Sequence, residues 1–191
     1  MSRRNRLPPW HEQFTLVNGQ SLLIRPIRIE DTEPIFSAFS MYGPESLKFH
    51  FLQPTKELTI EMVGRLASPN PKTEFVLVAA EPLPAGKALV GAIAHATMLS
   101  ESNEARYTIL VSQFLAGMGV GRKLMCKFVK WAKCQYIDRL GSKVSRDNTP
   151  MLELAKSLGF KCRSENDDTE LIDIVLELGP QPTLHSQSLP P

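Results

Sequence analysis

Three glycines alternate in a short segment that leads into a strongly helical sequence. Gly117, Gly119 and Gly121 lie between an apolar strand pattern that ends at Val111 and a helix pattern over residues 119–136. Glycine accepts positive φ and lets a ligand approach the backbone closely. Because the first N–H groups of a helix have no partner within the helix, a glycine-rich turn at this point is a natural pocket for phosphate.

Two cations follow in the first turn of the predicted helix. Arg122 and Lys123 stand where the helix dipole disfavours positive charge by about 0.3–1 kcal/mol each. A bound polyanion would reverse the sign of that interaction. The alternative is a ligand-free turn with two solvated cations, since glycine turns are common.

The two familiar nucleotide motifs do not fit this segment. A dinucleotide fingerprint requires G-x-G-x-x-G, and Arg122 occupies the position of its third glycine. A P-loop requires Gly-Lys-Ser/Thr after four variable residues, whereas the chain has Gly121-Arg122-Lys123. The phosphate ligand predicted here is therefore of another kind.

The composition excludes several other classes of function. The net charge is only +2, and Arg3, Arg4 and Arg6 supply three positive charges at the N-terminus. The rest of the chain has no excess of positive charge for a nucleic-acid-binding face, so we expect no nucleic-acid partner. Three cysteines without C-x-x-C spacing and four scattered histidines indicate neither a disulfide framework nor a metal site.

Nothing in the sequence indicates a membrane protein or a secreted one. No apolar run approaches the about 20 residues of a membrane helix. The N-terminus carries arginines without the apolar stretch that a signal peptide needs. We therefore expect a cytoplasmic protein with no membrane partner.

The order of helical and extended patterns predicts a mixed α/β protein with a mostly antiparallel central sheet and helices on both faces. Asp31 and Thr149 are predicted N-caps. One domain over residues 13–178 is expected between a flexible basic arm, residues 1–12, and a flexible proline-rich tail, residues 179–191. The predicted helices span 30–39, 58–66, 119–136 and 149–158, and the predicted strands span 21–25, 75–80, 88–98, 106–111, 140–145, 160–163 and 170–178.

The glycine segment resembles the acetyl-CoA motif of the GNAT superfamily of N-acetyltransferases. That motif is an apolar strand end followed by Q/R-x-x-G-x-G/A and a helix. Gly119-Val-Gly121 matches its G-x-G, while Ala116 replaces the usual Gln or Arg. Residues 23–31 and 148–160, the latter ending in Leu-Gly-Phe, resemble the first strand and a later helix of the family and occur in the family's order.

The resemblance covers most of residues 21–178. It is nearest to bacterial GNAT domains that occur alone or fused to acyl-CoA synthetases, some of which acetylate protein lysines. It implies the GNAT-like acyl-CoA N-acyltransferase fold, acetyl-CoA as the acyl donor, an amine as the acceptor and no metal. The oligomeric state stays open, a homodimer included.

The resemblance also implies roles for particular residues. The backbone of Leu110, Val111 and Ser112 would pair with the pantetheine arm and polarise the thioester carbonyl. Asn148 would contact the pantetheine arm, although capping the following helix is an equally ordinary role for it. The pyrophosphate would be held by the backbone of Gly117, Met118, Gly119, Val120, Gly121, Arg122 and Lys123.

The catalytic groups are harder to assign. Related enzymes often place a glutamate near the start of the central strand, but Arg106 occupies that position. Glu104, two residues earlier, is the candidate general base, and the alternative is a water relay without a base. Many family members use a tyrosine in the later helix as the acid, and Ala155 stands at that position.

Three functions remain open at this point. The first is an active N-acetyltransferase that acts on a protein lysine or a small amine. The second is a catalytically weak acyl-CoA-binding sensor, which Arg106 favours. The third is an interaction module that uses the basic N-terminal arm to bind RNA or an acidic protein. The acceptor pocket is expected in residues 40–57 and 99–105, which carry no motif.

Overall fold

The structure is a computed structural model that describes residues 7–40, 58–100, 102–163 and 170–179. Within these ranges the strands are β1 (Glu12–Thr15), β2 (Ser21–Pro26), β3 (Glu74–Ala80), β4 (Val90–Met98), β5 (Glu104–Val111), β6 (Arg139–Ser145), β7 (Lys161–Arg163) and β8 (Leu171–Glu177). The helices are α1 (Thr32–Phe39), α2 (Ile60–Leu66), α3 (Val120–Cys134) and α4 (Thr149–Ser157), with 3-10 turns at Ile29–Asp31 and Gln113–Leu115.

The strands are hydrogen-bonded in the order β1-β2-β3-β4-β5-β6-β8-β7. The pairs β1–β2, β2–β3, β3–β4, β6–β8 and β7–β8 are antiparallel, and β5–β6 is parallel. The predicted mixed α/β architecture with a mostly antiparallel sheet is therefore confirmed.

Every predicted helix and strand is present, with ends that move by at most a few residues. Strand β1 was not predicted, because its sequence, Glu-Gln-Phe-Thr, follows a proline-rich stretch and carries one apolar residue. It forms because it pairs with β2, from Glu12 opposite Ile24 to Thr15 opposite Ser21. Residues 1–6 of the predicted arm and 180–191 of the predicted tail lie outside the described residues, as do 41–57 and 101 of the predicted acceptor segments.

The chain forms two compact units, of which the first comprises residues 1–97 and 108–127. Helices α1 and α2 cover one face of its strands, since Ile35 and Phe39 recur at helical spacing and are both fully buried. Alternate residues of β3 point to the same core, as the period of a strand requires. This core consists of Ile27, Ile35, Phe39, Leu58, Val63, Ala67, Val76, Val78, Ala80, Ala88, Val90, Ile93 and Leu110.

A buried ion pair joins β2 to the start of α1 in the first unit. Arg25 and Asp31 are 2% and 0% exposed, and two N–H groups of Arg25 donate to the two carboxylate oxygens at 2.6 and 2.7 Å. The backbone N–H of Arg28 donates to the same carboxylate at 2.9 Å. Asp31 occupies the predicted N-cap position of α1, but its side chain makes no capping bond to that helix. Its bonds to Arg25 and Arg28 instead hold the turn between β2 and α1.

The second unit comprises residues 98–107 and 128–191. Three aromatic side chains form the centre of its core: the ring of Tyr107 lies 5.7 Å from that of Phe128 and 5.9 Å from that of Phe160. The hydroxyl group of Tyr107 is buried and has no hydrogen-bond partner among the described residues. Burial raises the pKa of Tyr107 well above its ordinary range.

Replacing Arg25 by methionine is expected to lower the free energy of unfolding by about 3–5 kcal/mol, because it leaves the Asp31 carboxylate buried without its partner. The matched control is Arg163→Met, which removes an exposed arginine that pairs with Glu177 and is expected to cost about 0–1 kcal/mol. Urea unfolding measures both variants. Equal, small losses for the two would contradict a structural role for the buried pair.

Candidate functional site

Strand β4 contains a β-bulge at the residue that contacts the turn before the glycine segment. In the β3–β4 ladder, Ala79 lies opposite Ala92 and Ala80 lies opposite Val90, so Gly91 is an extra residue in β4. An extra residue of this kind leaves its backbone groups out of the ladder and available for another partner. The bulge at Gly91 is thus a local interruption of an otherwise regular apolar strand.

Gly91 contacts the turn that follows β5 through its backbone. Its carbonyl accepts a hydrogen bond from the N–H of Ser112 at 2.8 Å. The side chain of Leu115, only 6% exposed, packs directly over the Cα of Gly91, where any Cβ would overlap it. Sequence reasoning missed Gly91, although a glycine inside a strand pattern is a known sign of a bulge or of a close backbone approach.

The end of β5 lies beyond its parallel ladder with β6. That ladder pairs Glu104–Arg106 with Arg139–Gly141 and does not extend to Leu110 and Val111. The N–H of Ser112, one of the three predicted thioester contacts, is already engaged with the carbonyl of Gly91. The contacts predicted for Leu110 and Val111 stay predictions.

The glycine segment has the backbone that its composition predicts. Gly117 and Gly119 have φ values of +74° and +81°, a region that disfavours residues with a Cβ. No atom lies within 4 Å of where a Cβ would stand at either glycine. These two glycines are therefore required by backbone conformation, and the space beside them is open to a ligand.

The hydrogen bonds of this segment narrow the set of available amide donors. The N–H of Met118 donates to the carbonyl of Leu115, and the N–H of Lys123 donates to the carbonyl of Gly119, both at 3.2 Å. Four amides in the first turn of α3 and in the three residues before it donate no hydrogen bond to an acceptor in the described part of the chain. This amide cradle consists of Gly117, Gly119, Val120 and Gly121.

The side chain of Lys123 has a partner that the sequence did not reveal. Its Nζ lies 2.6 Å from one carboxylate oxygen of Glu12 and 4.7 Å from the centre of the Phe14 ring. Nζ of Lys127 lies 2.9 Å from the other oxygen of Glu12. Hydrogen bonds from Lys123 and then Lys127 hold the pKa of Glu12 below its ordinary value. Glu12 therefore offsets part of the positive charge in the first turns of α3.

Asn148 caps helix α4. Its side-chain oxygen accepts a hydrogen bond from the backbone N–H of Met151 at 3.2 Å. The predicted N-cap, Thr149, is wrong by one residue, because the asparagine side chain reaches the free amide of the first turn and Thr149 is already helical. A contact between Asn148 and the cofactor stays a prediction.

The candidate catalytic residues of β5 lie in the second unit and are engaged in ion pairs. A carboxylate oxygen of Glu104 lies 3.0 Å from the guanidinium of Arg139, which also pairs with Glu177 at 3.0 Å. Arg106, at the position expected for a glutamate, lies 2.8 Å from Asp173. The β5–β6 ladder runs without a bulge from Glu104 to Arg106, so no local shift moves Glu104 into that position.

The described residues offer neither a metal-binding group nor a membrane-spanning helix. They contain no group of three histidine, cysteine, aspartate or glutamate side chains that could hold a metal ion. None of the helices in the described ranges has the length and apolar character needed to cross a membrane.

Comparison with known proteins decides the family. The family model described as "Acetyltransferase (GNAT) domain" matches residues 21–161. The chain belongs to the GNAT acetyltransferase family. A Pseudomonas aeruginosa protein named as an acetyltransferase is 24% identical to this GNAT protein over 159 residues, which are 83% of this chain and 85% of that protein.

Solved structures agree with this GNAT fold. The GNAT domain of S. lividans PAT has a TM-score of 0.73 at 21% identity, covering 91% of this chain and all of that one, 100%. The yncA protein of Salmonella typhimurium, solved with its cofactor acetyl-CoA, has a TM-score of 0.65 at 16% identity, covering 84% of this chain and 96% of that one. At these identities the likeness establishes the fold alone.

Substitution of Gly91 by alanine is expected to weaken acetyl-CoA binding about tenfold, or about 1.4 kcal/mol, because the new Cβ displaces Leu115 and the turn above it. Isothermal titration calorimetry measures the affinity. In the matched control, Gly64→Ala on α2, the nearest atom to the new Cβ is 3.9 Å away, so affinity is expected to stay unchanged. An unaltered affinity in Gly91→Ala would show that the contact between Gly91 and Leu115 does not position the glycine segment.

Replacing Glu12 by glutamine is expected to lower the free energy of unfolding at neutral pH by about 0.2–1 kcal/mol, since the pair is more than one-third exposed. Because the pKa of Glu12 is lowered in the folded protein, this stabilisation exists above the ordinary pKa of glutamate and is lost as the pH falls through the lowered value. The difference between variant and wild type should therefore decrease when the pH is lowered from neutral to below the ordinary pKa of glutamate, about 4.3. Urea unfolding at the two pH values measures it. Glu153→Gln, on the exposed side of α4, is the control and should show no such dependence.

Proposed function

We propose that this GNAT protein transfers an acetyl group from acetyl-CoA to an amine by direct attack of the amine on the thioester. The observation that carries the proposal is the amide cradle, whose donors meet no acceptor in the described residues. Unpaired amides at a helix N-terminus bind anionic oxygens, and coenzyme A presents a diphosphate. The open space beside Gly117 and Gly119 supports the same ligand.

Electrostatics at the cradle supports a ligand of high negative charge. Arg122 is exposed in the first turn of α3, where the positive end of the helix dipole alone would disfavour it. Glu12 offsets the charge of Lys123 and Lys127 but is not among the residues of the cradle. A diphosphate at the cradle would therefore gain from both the helix dipole and Arg122.

The acetyl thioester would lie along the end of β5. The backbone of Leu110 and Val111, which the ladder with β6 does not reach, would pair with the pantetheine arm. A backbone N–H that points at the carbonyl oxygen stabilises the negative charge that develops as the amine attacks, by about 3–4 kcal/mol in other enzymes. Positioning of the two substrates would supply much of the remaining rate.

The acceptor is a primary amine, either a protein lysine or a small molecule, and the reaction is proposed to take place in the cytoplasm. A lysine with an ordinary pKa of about 10.4 must lose a proton before it attacks, which costs about 4 kcal/mol near neutral pH. The enzyme therefore needs either a base or a path for the proton to water.

A second candidate function has a specific observation in its favour. Glu104, the candidate base, is paired with Arg139, and Arg106, at the position of the expected glutamate, is paired with Asp173. A protein that binds acetyl-CoA but lacks a base would serve as an acyl-CoA sensor or regulatory domain. The two functions differ in whether bound acetyl-CoA is turned over.

Gly119→Asp tests the cradle. The variant is expected to lose acetyl-CoA binding, about 100-fold or more, because it places a carboxylate where the diphosphate is proposed to bind. Gly19→Asp is the matched control, since Gly19 in the β1–β2 turn has φ +84° and equally open surroundings. Both variants carry the same backbone strain and charge, so only a loss specific to Gly119→Asp supports the cradle. Calorimetric titration of acetyl-CoA provides the measurement, and equal affinity in the two variants would refute the assignment.

The same titration, followed by a thiol-release assay with amine acceptors, separates the candidate functions. Tight binding with amine-dependent release of coenzyme A supports the transferase. Tight binding of acetyl-CoA without release of coenzyme A for any acceptor supports the sensor. Absence of acetyl-CoA binding would favour the interaction module.

A further inference from the structure

A polar cluster stands on β3 and β4 of the first unit, where the sequence indicated no site. It consists of Glu74, His95 and Thr97, whose cross-strand register places all three on one face of the sheet. Nε2 of His95 lies 3.2 Å from a carboxylate oxygen of Glu74 and 2.9 Å from the hydroxyl oxygen of Thr97. The side chain of His95 is 13% exposed and that of Glu74 is 23% exposed, so the cluster is largely but not completely shielded from solvent.

The contacts of His95 assign its tautomer. Both partners meet Nε2, and a carboxylate can only accept, so the ring donates Nε2–H to Glu74. In a neutral ring the other nitrogen, Nδ1, then carries a lone pair. Nδ1 has no hydrogen-bond partner among the residues that the structure describes. The other oxygen of Glu74 accepts the backbone N–H of Asn70 at 2.8 Å, which holds the carboxylate in place.

The pairing of β4 with β5 places His95 two residues away from the strand end that is proposed to hold the thioester. Two hydrogen bonds, from Ser112 N–H to Gly91 and from Leu99 N–H to Glu104, share one antiparallel register, in which His95 lies opposite Thr108. Opposed residues have Cα atoms about 5 Å apart, and Thr108 precedes Leu110 by two residues, or about 7 Å. The same register places Ile93 opposite Leu110, and both belong to one core.

The surroundings of His95 keep its ring neutral. Burial lowers the pKa of His95 below its ordinary value of 6.5. Of the charged groups that face the ring, Glu74 on β3 raises the pKa and Arg65 on α2 lowers it. Thr108, the opposed residue of β5, carries no charge. The lone pair on Nδ1 is thus available at neutral pH.

We propose that His95 is the general base of the acetyl transfer and that Glu74 is its positioning residue. This inference rests on the proposed acetyltransferase function and places the base on β4, next to the strand whose Glu104 is the base that the sequence predicts. A base must reach the attacking amine directly or through one water molecule, and the register of β4 places His95 beside Thr108, two residues before Leu110.

The proposed step balances in atoms and charge. The acceptor enters as an ammonium ion, and Nδ1 of His95 takes one of its protons. The nitrogen lone pair then bonds to the thioester carbonyl carbon, the carbon–sulfur bond breaks, and a second proton from nitrogen passes to the departing thiolate. The products are the acetylated amine, the thiol of coenzyme A and an imidazolium, which returns its proton to water.

The test compares His95→Gln with Glu74→Gln and with the control His11→Gln, which removes a histidine of the N-terminal segment. Acetyl-CoA affinity is measured first and is expected to stay within about twofold of wild type in all three. The rate of thiol release is then measured against pH with a lysine peptide, a peptide with a free α-amino group and a small primary amine. His95→Gln is expected to lose a factor of about 10²–10⁴ in kcat, together with the decline of the rate that protonation of His95 causes in the wild type at acidic pH, below the ordinary histidine range because burial lowers the pKa of His95.

The remaining variants distinguish a base from a structural histidine. Glu74→Gln should retain that decline but move it to lower pH, because Glu74 raises the pKa of His95, and Glu74→Asp should restore part of the rate. His11→Gln should match wild type. A normal rate and pH profile in His95→Gln, or a loss of the decline in Glu104→Gln instead, would overturn the role of His95 while the acetyltransferase function stands.

A readout that does not depend on turnover completes the test. In the nitrogen NMR spectrum of the histidine rings, the signal absent from His95→Gln identifies His95 in the wild type. It is expected to show a proton on Nε2 and none on Nδ1 at neutral pH, and an Nδ1–H tautomer would overturn the proposal. A wild type that binds acetyl-CoA but acetylates no acceptor would overturn both the base and the transferase, and would favour the sensor.

Discussion

The contact between Gly91 and Leu115 is the constraint on which the candidate site depends. A bulge at Gly91 frees a carbonyl that accepts the N–H of Ser112, and the missing side chain leaves room for Leu115. The chain therefore leaves β5 at a defined place, turns within a few residues and enters α3 with Gly117 and Gly119 in positive φ. Without this contact, the same glycines would form a turn with no fixed position relative to the strand that is proposed to hold the thioester.

Two sets of ion pairs organise the charges of the first unit. The Arg25–Asp31 pair is fully buried and joins β2 to α1, where an unpaired charge would be costly. Glu12, which is partly exposed, forms ion pairs with both Lys123 and Lys127 and so offsets their charge. Its effect is that the start of α3 tolerates a cluster of cations before any ligand binds, while the amide cradle remains available to an anion.

The proposed base illustrates a limit of motif reasoning within a family. Sequence comparison looks for a glutamate on β5, and there it meets Arg106 and a Glu104 that is paired with Arg139. The cluster on the neighbouring strands belongs to no sequence motif, since Glu74 and His95 are 21 residues apart and meet only because β3 and β4 form a hairpin. Base function is a matter of position and proton affinity, so an unrelated position in sequence can supply it.

The sequence by itself determined the order of the helices and strands from β2 onwards, the glycine segment and the resemblance to the family, because these follow from local periodicity, from the φ that glycine permits and from a contiguous motif. Only the tertiary structure decided which partners the candidate residues have. It paired Lys123 with Glu12, engaged the amides of Met118 and Ser112, made Asn148 a cap and brought Glu74 to His95. The physical reason is that a residue's type states which bonds its side chain can form, whereas its actual partner depends on strand register and packing, which are properties of the whole fold.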